Sequence, residues 1–146
     1  MDGRQDAAGR RGFGLAQQMR LKSVPGTYAI AQLPPDAALP AWFDGPDFVA
    51  MARANDELTL ICHQDRVPQD VTASRDWACF RSVGPFAFDE SGVVSALTKP
   101  IADAGIGIFV VCTYDGEHLL CAASDFDRVK TILTDAGHNF DPENHI

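Results

Sequence analysis

Apolar and polar side chains alternate through residues 24–33, where Tyr28, Ile30 and Gln32 interleave with Ala29, Ala31 and Leu33. A period of two is that of a pleated strand. Pro34 and Pro35 stop it, and the prolines and Gly45 of the stretch 35–46 rule out a regular helix there, because proline has no amide hydrogen to give. Trp42 and Phe43 are expected to plug this irregular stretch onto the body. Residues 48–53 read as a short strand or a single helical turn. Residues 57–63 read as a strand, with Leu58, Leu60 and Cys62 on one face and Thr59, Ile61 and His63 on the other. Residues 65–75 are a polar connector containing Pro68, and 77–83 form the next strand, ahead of Gly84 and Pro85.

The period then lengthens. Residues 91–104 are predicted as a helix, with Ser91 as N-cap, Val94, Leu97 and Ile101 as its apolar stripe, and Gly105 at the left-handed C-terminal position, each the residue type that such a place prefers. Pro100 should bend its last turn. Strands at 106–113 and 117–123 follow, joined at Asp115-Gly116, a pair suited to a hairpin turn with two positive φ angles. A second helix spans 124–136. Ser124 and Asp127 are spaced as a capping box, Phe126, Val129, Ile132 and Leu133 make its buried stripe, and Gly137 ends it. A short strand at 138–140 precedes a polar tail.

From Trp77 onward the order is β-α-β-β-α-β, the ferredoxin-like split βαβ arrangement. The predicted class is α+β, with antiparallel sheet and both helices on one face, since each helix has a single apolar stripe. The first half echoes this order weakly: YAIAQL and WACFRSV open the two halves, and ELTLICHQDRV and EHLLCAASDFDRV lie late in each. The expected organisation is a disordered extension at 1–19, a degenerate module at 20–74, a second module at 75–140 and a tail at 141–146. The two modules would share one sheet or stack through helices.

Composition narrows the function. A chain of 146 residues fits one domain or two very small ones. A net charge of −8 opposes non-specific nucleic-acid binding, because phosphates would be repelled. The apolar run 106–111 is far too short to span a bilayer, and the locally basic N-terminus lacks the apolar core of a secretory signal. Cys62, Cys79, Cys112 and Cys121 include no CxxC pair and are expected as reduced, buried thiols in a cytoplasmic protein. His63, His118, His138 and His145 lie on separate elements, so neither a metal nor another cofactor is expected. Cys62 and His63 are adjacent in a strand and face opposite ways, which excludes them as a nucleophile–base pair.

Several stretches carry a family resemblance. They are Phe88-Asp89-Glu90-Ser91-Gly92-Val93-Val94, Lys99-Pro100-Ile101-Ala102-Asp103-Ala104-Gly105-Ile106, Thr113-Tyr114-Asp115-Gly116-Glu117 and, in the first half, Glu57-Leu58-Thr59-Leu60-Ile61-Cys62 with Arg66-Val67-Pro68. Over residues 24–138 the chain resembles small bacterial tandem ACT-domain proteins, similar to the CASTOR arginine sensors and the regulatory domains of aspartate kinase. The resemblance implies a non-catalytic sensor or regulator with an amino acid held at the seam between modules. By position, the loop of Asp89, Glu90, Ser91, Gly92, Val93 and Val94 would take the ligand's head group, and Thr113, Tyr114 and Glu117 would line its side chain. Where the sensors show Ser-Thr-aromatic followed by Asp, this chain has Cys112-Thr113-Tyr114 and Glu117, and the longer acid leaves less room for a side chain. The chain also holds half of the sensors' four modules, which implies a homodimer restoring the seam.

The chemistry of that loop agrees with its implied role. Amide hydrogens at a helix start suit a carboxylate, Gly92 allows close approach, and Asp89 or Glu90 would hold an ammonium. The same acids would equally serve to complement the helix dipole. Two rival readings stand beside the first: an interaction domain without ligand, marked by Trp42, Phe43 and Trp77, and a thiol enzyme using Cys79 or Cys112.

Overall fold

The computed structural model describes residues 18–84 and 91–143. Its elements in chain order are β1 (Arg20–Leu33), β2 (Ala50–Arg53), β3 (Leu58–His63), β4 (Ala73–Ser82), α1 (Val93–Asp103), β5 (Phe109–Thr113), β6 (Gly116–Ala122), α2 (Phe126–Asp135) and β7 (Asn139–Phe140). Single 3-10 turns follow β3 at Gln64–Arg66 and β6 at Ala123–Asp125.

All seven strands join one sheet, in the order β2-β3-β1-β4-β6-β5, with β7 added to β1. Strand β1 makes this continuity possible. Its later part pairs with β3 from Tyr28↔His63 to Leu33↔Leu58, while its first part pairs with β4 from Leu21↔Ser82 to Val24↔Cys79. The register shifts between Val24 and Thr27, where Gly26 takes φ 98°. The expected strand at 24–33 is thus longer at its start, and the expected strand at 77–83 begins four residues earlier, at Ala73. Of the 48–53 stretch, Ala50–Arg53 forms the edge strand β2.

Phe80, Leu119 and Cys121 face the two helices and form a core with Leu21, Val93, Leu97, Ile101, Val129 and Leu133. On the first half of the sheet, Ala29, Ala31, Leu58, Leu60 and Cys62 are covered by Phe43 and Val67, with Trp42 packed beside them. The segment around Trp42 and Phe43 therefore does plug the irregular stretch onto the body. Tyr28, Ile61, Cys79 and Leu120 form a third cluster with Phe48.

Helix ends depart from expectation at their starts and match it at their ends. Gly92, with φ 82°, is the N-cap of α1, and no side chain caps it; the helix begins two residues after Ser91. Val93 rather than Val94 joins Leu97 and Ile101 in the buried stripe, and Val94 is exposed. Asp125 precedes α2 without a side-chain cap bond, so Ser124 and Asp127 do not close a capping box. Both helices end in Schellman turns. Gly105 N–H donates to Ala102 O and Ile106 N–H to Ile101 O, and the same pair recurs from Gly137 to Thr134 and from His138 to Leu133.

Two features of the second half differ from expectation. Strand β7 does not lie beside β4, as a closed four-strand module would require; it pairs in parallel with β1 at Arg20↔Asn139 and Leu21↔Phe140. The start of β1 occupies the intervening place. The hairpin turn is Tyr114-Asp115, since Thr113 pairs with Gly116. Among the described residues only Asp47 and Asp76 are non-glycine residues with positive φ, so Asp115 does not adopt the conformation expected of it.

Candidate functional site

Strand β4 ends, and β6 begins, at one end of the sheet. The pairing of Arg81 with His118 brings Ser82 beside Glu117. Both project to the helix-covered face, in step with Phe80 and Leu119. Ser82 is fully buried and Glu117 is 8% exposed. The Ser82 hydroxyl donates to Glu117 Oε1 at 3.0 Å and accepts the Glu117 amide hydrogen, also at 3.0 Å. A carboxylate removed from water needs such partners, and here a neighbouring strand supplies one. Glu117 is therefore not a solvated hairpin residue.

Helix α1 starts over the same face. Val93 is 5% exposed and belongs to the core that includes Phe80 and Leu119, which anchors the first turn. The left-handed backbone of Gly92 turns the chain into the helix, a conformation glycine adopts without cost to a Cβ. Gly92 O accepts the Ala96 amide hydrogen at 2.9 Å. Ser91, Gly92 and Val94 are exposed. Asp89 and Glu90 lie outside the described residues.

The hairpin residues divide. Cys112 pairs with Glu117 and shares its face, and it is an exposed thiol, against the expectation of four buried ones. Thr113 belongs to the opposite face, in step with Val111, and its hydroxyl donates to Gly116 O at 3.1 Å, closing the turn. Tyr114 stands at the tip, 78% exposed. Glu117 thus shares the helix-covered face with Val93 of α1, whereas Thr113 shapes the turn from the other side. Sequence reading missed Ser82. A lone hydroxyl at a core-facing strand position, opposite an acid, was the available signal.

The other cysteines are poor nucleophiles. Burial pushes the Cys79 thiol up to about 12 and the Cys121 thiol up to about 11, and raises that of Cys62. A thiol held protonated does not attack. Among the described residues, no group of His, Cys, Asp and Glu converges as a metal site, and no helix is long and apolar enough to cross a membrane.

His118 was not singled out by the sequence. It stacks on Phe48 at 4.0 Å between ring centroids, with the planes 7° apart. Its Nδ1 is buried without a hydrogen-bond partner among the described residues. Burial first, then Arg81 and Lys22, lowers its pKa to about 4.

The model of the ACT domain matches residues 72–135, and a second model, described as an N-terminal domain, matches residues 26–70. The solved structure of protein Atu0741 from Agrobacterium tumefaciens is 46% identical, with a TM-score of 0.84, over 89% of this chain and 97% of that one. Aspartate kinase from Clostridium acetobutylicum gives a TM-score of 0.61 at 11% identity, over 90% of this chain and 37% of that one. The regulatory subunit of aspartate kinase from Thermus thermophilus, in its ligand-free form, gives 0.55 at 13% identity, over 83% of this chain and 95% of that one. None of the curated proteins matches the chain. The chain belongs to the ACT-domain family. It is a small member of it, with the ferredoxin-like fold found in the regulatory part of aspartate kinase.

Proposed function

We propose that this protein is a non-catalytic regulator or sensor that binds an amino acid, or a similar small zwitterion, at the end of the sheet where α1 starts beside Glu117. The observation that carries the reading is the placement of a glycine-turned helix start and a buried, Ser82-bonded carboxylate on one face of one sheet end. The amide hydrogens of the first turn of α1 suit the ligand carboxylate. Asp89 and Glu90 take the ammonium, and Glu117 and Tyr114 limit the side chain. A homodimer completes the seam, and binding shifts the population towards the closed dimer. Free thiols suit a reducing cytoplasm. The high thiol pKa values of Cys79 and Cys121 weigh against a thiol enzyme.

The test is thermal unfolding in the presence of each of the twenty amino acids. Ligand at a hundred times its dissociation constant adds about 2.7 kcal/mol, a rise of several degrees for a domain of this size. A melting temperature unmoved by every amino acid at millimolar concentration would overturn the proposal.

A further inference from the structure

A cavity of about 500 Å³ opens at the far end of β3, lined by Trp42, Pro46, Asp47, His63, Asp65 and Arg66. It lies apart from the Ser82–Glu117 corner. His63 pairs with Tyr28 and Tyr28 with Trp77, an odd number of residues before Ser82 along β4, so His63 and Ser82 project to opposite faces of the sheet. It is an open depression with room for a small molecule.

Its walls are held in place from behind. The His63 ring stacks on Tyr28, with centroids 4.7 Å apart. The ring also lies close to Gly26, where an added Cβ would come within 1.9 Å of His63 Cε1. A larger residue there would have to displace the ring, on a backbone of φ 98° that favours glycine. His63 Nε2 is 2.7 Å from Asp47 Oδ2, and Asp47 takes φ 69°, a left-handed backbone uncommon outside glycine. Arg66 is fixed as well: Nε donates to Trp42 O and Nη2 to Asp44 O, both at 2.9 Å. These two bonds occupy one edge of the guanidinium. The other edge, formed by Nη1 and the second hydrogen of Nη2, is the fork that accepts a carboxylate in two bonds.

The charges select the ligand. Two carboxylates, Asp47 and Asp65, accompany one guanidinium around the cavity. A phosphate or a dicarboxylate would meet both acids as like charges, and a simple cation would meet Arg66. A molecule with one carboxylate and one ammonium satisfies both signs, and Trp42 lines the cavity beside these groups. From this arrangement we infer that the cavity is a second binding site, for a small zwitterion of the α-amino-acid class. The carboxylate lies on the open edge of Arg66, and the ammonium lies towards Asp65 and Asp47. The inference does not rest on the function proposed for the sheet end.

The two tryptophans of the chain make the test specific. Trp77 Nε1 donates to Ser74 Oγ and serves as internal control, while Trp42 lines the cavity. The indole N–H resonances of the full-length protein are assigned with Trp42→Phe and followed while each of the twenty amino acids is added to millimolar concentration. Acetate and methylammonium serve as half-ligand probes. The expected result is a saturable shift of the Trp42 resonance with at least one amino acid, with Trp77 unmoved, and binding about tenfold or more weaker for either half-ligand. Asp65→Asn, at an exposed position, should weaken binding about tenfold with the fold intact, and Arg66→Gln should abolish it. No shift at Trp42 with any amino acid, acetate binding as well as the full zwitterion, or undiminished binding to D65N would each overturn the assignment. Failure here leaves any response of the amides at 92–94 intact, and failure there leaves Trp42 as the reporter of this cavity.

Discussion

His138 Nε2 lies 3.0 Å from the carbonyl oxygen of Ala96, the acceptor that Pro100, four residues later in α1, cannot bond because it has no amide hydrogen. On the other side of the ring, Nδ1 accepts the Met19 amide hydrogen at 3.0 Å. A backbone amide only donates, so the ring carries its hydrogen on Nε2 and gives it to Ala96. One side chain, 3% exposed, thus ties the residue before β1 to α1 from the end of α2. Met19 is itself buried, so ordered core packing begins ahead of the first strand.

The replacement His138→Phe keeps the ring volume and strands two backbone groups. It should cost about 2–4 kcal/mol in urea unfolding. In a Pro100→Ala background the restored helix amide can serve Ala96, and the penalty should shrink by about 1 kcal/mol. Equal penalties in the two backgrounds would show that the histidine does not substitute for the missing helix bond.

Ser82→Ala leaves the Glu117 carboxylate and amide without their partner. Stability should fall by about 1–3 kcal/mol, and replacing Glu117 by Leu in the same chain should recover part of it, because the stranded acid is then gone. Unfolding curves in urea at neutral pH measure both. A neutral Ser82→Ala would mean that water reaches Glu117.

The four cysteines should label in a ratio of one to three. Cys112 is exposed and Cys62, Cys79 and Cys121 are buried. Intact mass after brief treatment with a thiol reagent should show a single adduct on the native protein, at Cys112, and four after denaturation. Rapid labelling of Cys79 in the native state would contradict both its burial and its thiol pKa of about 12.

His118 should make stability depend on pH. Its folded-state pKa is lowered by burial to about 4 from the ordinary 6.5. The unfolded chain therefore takes up the proton first as pH falls. The stability associated with the neutral ring is whole above pH 6.5 and is lost as pH drops from 6.5 towards 4. The difference in unfolding free energy between the protein and a His118→Phe variant should change through that window and level off below it. A difference independent of pH from 7 to 4 would contradict the burial of the ring beneath Phe48.

Much of this fold is visible in the sequence, for physical reasons that differ by element. The face assignment of β3 follows from strict alternation, and Leu58, Leu60 and Cys62 share a core as that pattern requires. The ends of α1 and α2 were legible because Gly105 and Gly137 are the residues that a left-handed position favours. Helix starts were not, because Ser91 and Ser124 supply suitable oxygens but do not cap these helices. The place of β7 was hidden too. Two residues of strand carry no sign of their partner, and β1 reaches both halves of the sheet. At the corner, the sequence singles out Gly92 and Glu117 but not Ser82, whose bond to Glu117 exists only through cross-strand register. Parity alone separates Thr113 from Glu117, and the position of the turn at Tyr114-Asp115 fixes that parity.

The binding of a zwitterion proposed for the start of α1 is open to direct measurement. Backbone amide resonances followed during titration with whichever amino acids raise the melting temperature test it most directly. Saturable shifts are expected, centred on Gly92, Val93 and Val94, together with Tyr114 and Glu117. Binding that leaves those amides unmoved would contradict it.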